Sequence, residues 1–186
     1  MRNPLRLAIT GHRPQSLGGF DPNNPLLWQI EQHLIITLDA VKSTHPHVIG
    51  LTGMAQGVDQ AFARACLATH IPFRAYLPFP EHSAIWPAHA QQIYRELLAK
   101  ADWYQVVRPY VNTPHDIRQA LMDRNSTLVD ECDAAIAVWT GAPGGTADAV
   151  RKLRAAGRPL LILHPYHAYR PAEVSRWISD LVQRAA

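Results

Sequence analysis

Residues 134–148 read Ala134-Ala135-Ile136-Ala137-Val138-Trp139-Thr140-Gly141-Ala142-Pro143-Gly144-Gly145-Thr146-Ala147-Asp148. The first six are a continuous apolar run, as expected of a strand covered on both faces. The glycine- and proline-bearing stretch that follows breaks it, and a helix is expected to open near Gly145 or Thr146. Two further segments share this grammar. Thr10-Gly11 follows the strand-like Leu5 to Thr10, and Thr52-Gly53 follows Val48 to Thr52. Phe73 to Leu77, Tyr104 to Val107 and Leu160 to Leu163 also read as strands.

Helical spacing separates them. Leu27, Ile30, Leu34, Leu38 and Val41 form one stripe, and Val58, Phe62, Ala65, Cys66 and Thr69 a second. Another helix is read from His115 to about Glu131, and a last one after Pro171, carrying Val174, Trp177, Ile178, Leu181 and Val182. Strand and helix alternation over the whole length predicts a Rossmann-like, doubly wound α/β sandwich with a mostly parallel sheet, residues 1–186 forming a single domain. His12 to Pro25 and Pro78 to Trp86 are the longest stretches without periodicity.

Composition narrows the function classes. The 186 residues are 47% apolar and 18% charged, with 18 basic and 15 acidic side chains. No apolar run approaches the roughly 20 residues of a membrane span, and Leu7 to Thr10 is too short for a signal-peptide core. Cys66 and Cys132 show no metal-type spacing, so a reduced, cytoplasmic protein is expected. The net charge of +3 and pI near 9.1 invite a nucleic-acid reading. Arg151, Lys152, Arg154 and Arg158 carry that excess, however, and the rest of the chain nearly balances. Fifteen of the 18 basic residues are Arg, the better fork for phosphate and carboxylate. Histidines in His45-Pro46-His47, His82 with His89, and His164 with His167 complete no metal-ligand set; no metal and no required cofactor are expected.

Three loops at strand C-terminal ends mark the place where open α/β sheets bind ligands. Free N–H groups at the helix start around Gly144, Gly145 and Thr146 suit an anion. Thr146 either caps that helix or binds a phosphate oxygen. Gly11, Gly53 and Gly57 are expected to admit a ligand close to the backbone, with His12 and Arg13 facing an anion. Asp59 either enriches a first helical turn or accepts from a sugar hydroxyl. Arg124 interrupts the stripe of Ile117, Leu121 and Leu128, as Asn125 interrupts that of Met122 and Val129. An Arg there needs either an internal partner, Asp123 or Asp130, or a ligand phosphate. Trp139, Pro78, Phe79 and Trp86 are candidates to pack a base or sugar.

In order, Thr10-Gly11-His12-Arg13-Pro14 with Leu17-Gly18-Gly19, Gly53-Met54-Ala55-Gln56-Gly57-Val58-Asp59, Pro78-Phe79 with Trp86-Pro87, Met122-Asp123-Arg124-Asn125 and Gly144-Gly145-Thr146 resemble the SLOG superfamily, in particular its YpsA-like branch. That superfamily also includes the lonely-guy phosphoribohydrolases and the DNA-processing protein DprA. The resemblance implies a Rossmann-like fold, a nucleotide or nucleotide-derived ligand such as ADP-ribose or NAD, and often a homo-oligomer. In the lonely-guy enzymes an Arg of a Met-x-x-Arg segment acts with a Glu three residues after the Gly-Thr. Here the Arg is Arg124, but the Glu position is Ala149. A binding protein or sensor is therefore expected before an enzyme. The alternatives are a nucleotide hydrolase drawing on His12, Asp59, Arg124 or Asp148, and DprA-like binding of single-stranded DNA.

Overall fold

The computed structural model describes residues 3–21 and 23–185. Six parallel strands, β1 (Leu5–Gly11), β2 (Val48–Thr52), β3 (Phe73–Leu77), β4 (Trp103–Val106), β5 (Ala134–Val138) and β6 (Leu160–Leu163), lie in the order β4-β3-β2-β1-β5-β6. Between and after them run α1 (Pro25–Thr44), α2 (Val58–Ala68), α3 (Ala88–Leu98), α4 (Pro114–Glu131), α5 (Gly145–Ala155) and α6 (Pro171–Ala185). The strand order runs outward from β1 in both directions, so the topological switch point lies between β1 and β5. Right-handed crossovers put α1, α2 and α3 on one face and α4 and α5 on the other. Helix α6 returns to pack on α1 and β6.

The two-residue side-chain period of the strands divides the core accordingly. Leu7 and Ile9 of β1, with Ala134, Ile136 and Val138 of β5, face α1, α2 and α6 in the larger apolar cluster. Ala8 and Ala135 face the other way, with Leu128, Val129 and Leu153 from α4 and α5. The second face is thus floored by small residues under only two helices. A hollow between α4 and α5 follows from that.

The doubly wound parallel architecture is the one the alternation predicts, and the strand limits agree to within a residue. Helix α3 is an addition. Its buried stripe is only Ala90, Tyr94 and Leu97 in an otherwise polar stretch, too few apolar repeats to stand out in sequence. The unpatterned stretch after His12 holds a 3₁₀ turn at Pro14–Ser16, then Asn24, which caps α1 by accepting from the amides of Leu26 and Leu27. A capping box of Thr113 and Asp116 opens α4. Both cysteines are buried, Cys132 just past the end of α4.

Under α3, the His82 ring makes edge-to-face contacts with Phe79, Trp86 and Tyr94. Neither ring nitrogen has a hydrogen-bond partner. Burial, then the charge of Arg124, lowers its pKa to about 4; the Phe79 backbone opposes this, and the Arg13 charge adds a smaller push downward. A neutral buried His contributes stability that is fully present above the unfolded value of 6.5 and is lost as pH falls from there through about 4. The loss amounts to about 3 kcal/mol. Urea unfolding at about pH 7.5 and at about pH 4 is expected to show that loss in the wild type beyond the loss in His82→Leu; equal losses would contradict it.

Candidate ligand-binding site

At the switch point the C-terminal half of β1, Ala135 of β5, the first turn of α5 and one face of α4 line a cavity of about 740 Å³. Its lining includes Gly11, His12, Arg13, Asp59, Arg124, Asn125, Gly144, Gly145 and Thr146 among the residues expected from sequence. Arg118, Met122 and Asn125 lie on the α4 stripe facing it, with Leu121, Leu128 and Val129. Arg118 was missed in sequence; its spacing from Leu121, Asn125 and Leu128 was the available signal.

Arg124 is the buried centre. It is 6% exposed, and its Nη1 donates to Asp59 Oδ2 at 3.2 Å. The two acidic residues expected as internal partners are not used: Asp123 binds Arg108 and Gln119 across the helix surface. The actual partner lies 65 residues away on another helix, a pairing no local spacing reveals. Burial pushes the Asp59 carboxyl up, while the Arg124 charge, the Ala55 amide and the Arg13 charge pull it down. Burial likewise lowers Arg124, and Asp59 opposes this. A guanidinium stays protonated throughout, and it stands at ion-pair distance from the Asp59 carboxylate. Arg13 leaves the group one positive charge in excess. The Nε of Arg124 has no hydrogen-bond partner.

The glycines separate into two kinds. A Cβ on Gly53 would lie 1.3 Å from Arg124 Nη1, and one on Gly11 would lie 2.5 Å from Val58. Gly57, at φ +96°, would bring a Cβ to 2.7 Å from the His12 carbonyl oxygen. These three are filled by the protein itself: they let β1, α2 and Arg124 approach one another. Gly53 and Gly57 lie outside the cavity lining, whereas Gly11 lines it. A Cβ on Gly144 or Gly145 meets nothing within 4 Å. These two face open space at the start of α5, where no side chain caps the helix. Thr146 lies inside the first turn, after the N-cap Gly144, so its capping role is not realised.

Potential bases and acids are already engaged. His12 is buried and its Nε2 accepts the Thr140 amide proton at 3.0 Å. Asp148 pairs with Arg151 and, at 2.9 Å, with Lys152. Ala149 is buried and lines the cavity, so no carboxylate enters from that position. Nor do the aromatic candidates reach it. Trp86 and Phe79 surround His82, and Pro78 is buried beside them in sequence. Trp139 donates from Nε1 to the Ala142 carbonyl at 2.7 Å, bracing its own loop, and lines a separate pocket with His164 and His167. Tertiary packing turned these rings away from the cavity. Among the described residues no group of three or more His, Cys, Asp or Glu is arranged to hold a metal ion, and no helix is long and apolar enough to cross a membrane.

Gly53→Ala is expected to expel the guanidinium and break the Asp59 pair, costing about 3–5 kcal/mol. Gly145→Ala has room and is expected to stay within about 0.5 kcal/mol of wild type. Chemical denaturation of both variants checks the contrast, and a Gly53→Ala protein of wild-type stability would refute the packing account.

A family model described as the YspA SLOG family matches residues 7–154. An uncharacterized SPbeta prophage-derived protein of Bacillus subtilis (strain 168), YoqJ, is 26% identical over 159 residues, which are 76% of this chain and 91% of that protein. Among solved structures, DNA processing protein A from Streptococcus pneumoniae superposes with a TM-score of 0.63 at 14% identity, over 98% of this chain. The chain spans 57% of that protein's length. The molybdenum cofactor carrier protein from Chlamydomonas reinhardtii gives a TM-score of 0.51 at 16% identity, covering 97% of this chain and 85% of that one. At such identities the superpositions establish a shared fold, and the family match carries the assignment. On that match, which spans most of its length, this chain belongs to the YspA SLOG family.

Proposed function

We propose that the protein binds a small phosphate-bearing, nucleotide-like ligand, of the ADP-ribose or NAD kind, as a sensor or carrier. The observation that carries the reading is the uncapped start of α5, where Gly144 and Gly145 face open space within the same cavity as the buried Arg124. The first amides of a helix have no intrahelical acceptor and the dipole favours negative charge there. Arg13 and Arg124 outweigh Asp59 by one charge, which adds to the attraction.

Binding suits this cavity better than turnover. A general base needs a free basic atom within reach of a water. His12 Nε2 is occupied by Thr140, Asp59 by Arg124, and Asp148 by Arg151 and Lys152. Ala149 replaces the family's glutamate, which leaves an N-glycosidase without its carboxylate. Single-stranded DNA binding has weaker support: Asp148 pairs with two of the four basic residues on and after α5, and no aromatic platform lies among them.

A panel of nucleotides, ADP-ribose and NAD tests the proposal by thermal unfolding. At about 100 times Kd a ligand of the native state contributes about 2.7 kcal/mol, a rise in Tm of about 5–10 °C for a chain of this size. Gly145→Ala is expected to weaken that binding by tenfold or more without altering the unliganded Tm. If no member of the panel raises Tm, the proposal fails.

A further inference from the structure

His12 stands just after β1 and lines the candidate cavity, where the sequence suggests an anion contact, a base or a plain solvated loop residue. Its hydrogen bonds point elsewhere. Nε2 accepts the backbone N–H of Thr140 at 3.0 Å, and Thr140 Oγ1 lies 2.9 Å from the same nitrogen. An imidazole nitrogen that accepts carries no proton, so the ring is neutral with its hydrogen on Nδ1. Burial, with the charge of His164, lowers the pKa of His12 and favours that neutral form.

The loop held in this way is the anion loop. Thr140 Oγ1 accepts from the Ala142 amide at 3.4 Å, and Trp139 Nε1 donates to the Ala142 carbonyl at 2.7 Å. Residues 139–142 are therefore braced internally, while His12 attaches the brace to the neighbouring strand. Gly141, at φ +92°, lies within the brace and Gly144, at φ +138°, just after it, and a Cβ on either meets nothing within 4 Å. On the far side of the first loop, Tyr166 Oη donates to the Ser16 carbonyl at 2.9 Å, attaching the segment after β6 to the loop that carries His12. The loops after β1, β5 and β6 thus form one rim, and His12 joins its first two members.

We infer that His12 is the positioning residue of the anion loop: as a neutral acceptor for the Thr140 amide it anchors the braced residues 139–142 that lead toward α5, and it does not itself contact the ligand as a cation. This rests on the ligand reading above for its consequence, though not for its geometry. The charged and titratable groups that act on His12 or share its cavity are His164, Arg13, Arg118, Arg124, Asp59 and Asp148. The cavity already has its positive charges in the arginines, so a neutral His12 leaves the anion site cationic.

Two substitutions separate positioning from direct contact. In His12→Gln the amide oxygen reaches the place of Nε2 and accepts without titrating; in His12→Leu no acceptor remains. The readouts are hydrogen exchange of the Thr140 amide, by NMR, and affinity for ADP-ribose, whose pyrophosphate charge is constant across the range tested. Thr140 exchange is expected to speed up roughly five- to tenfold in His12→Leu, the worth of one hydrogen bond, and to return to the wild-type rate in His12→Gln. ADP-ribose affinity is expected to fall roughly five- to tenfold in His12→Leu and to stay within about twofold of wild type in His12→Gln. Loss of affinity in the Gln variant equal to that in the Leu variant would overturn the inference. So would wild-type affinity that climbs as pH falls below about 6.5, with the climb absent in His12→Gln, because that behaviour belongs to a cationic ligand contact. If ADP-ribose does not bind the wild type, the ligand reading fails on its own, and the exchange data still decide whether His12 holds the loop.

Discussion

The ion pair between Arg124 and Asp59 is the constraint around which the ligand end of this molecule is built. Arg124 belongs to a helix on one face of the sheet and Asp59 to a helix on the other. They meet beyond the C-terminal ends of the strands, where both helices overhang the sheet. Taking two charges out of water costs several kcal/mol per ion, and their attraction offsets this only with close geometry and further hydrogen bonds. The surroundings meet that condition in part. Asp59 also accepts from the Ala55 amide, and Gly53 leaves a hollow for the guanidinium. What stays unsatisfied is Arg124 Nε, a donor buried near Gly53.

The same economy of space governs the loops. All three begin with Thr-Gly after a strand, yet the shared dipeptide serves different ends. In the first two, glycine allows protein to meet protein: strand end against Val58, guanidinium against backbone, the start of α2 against the His12 carbonyl. Thr52 tightens the second loop further, donating from its hydroxyl to the Asp59 carbonyl and accepting from the Met54 amide. In the third, glycine leaves backbone uncovered, and the neighbouring side chains brace the loop rather than fill it. Two loops closed on the protein thus stand beside one whose glycines face open space.

Sequence resemblance alone would give this fold a choice between binding and cleavage. The geometry bears on that choice through occupancy, since the candidate acids and bases of the cavity each already hold a partner. The resemblance to the phosphoribohydrolases implies a glutamate at the position of Ala149, and here that small buried side chain lines the cavity between α4 and α5. The proposed role as a binding protein rests on that combination: an anion site kept, and the atoms of catalysis absent or engaged.

Sequence by itself determined the architecture. Apolar runs of strand length alternating with 3.6-residue stripes left a doubly wound parallel sheet as the consistent solution, and the loops after β1, β2 and β5 pointed to the candidate ligand end. Periodicity is a local property, and local properties survive in a linear reading. Helix α3 escaped because three apolar anchors in a polar stretch give too weak a period. The direction of each side chain in the loops was decided only in three dimensions. Arg124 was visible as an anomaly on an apolar stripe, but its partner lay 65 residues away, and Asp123, its sequence neighbour, went to Arg108 instead. Trp139, Phe79 and Trp86 were read as ligand platforms and became a loop brace and the walls around His82. The physical reason is the same in each case. A strand or helix fixes where its side chains point by its own repeat, whereas a loop residue is aimed by whatever the rest of the fold brings beside it.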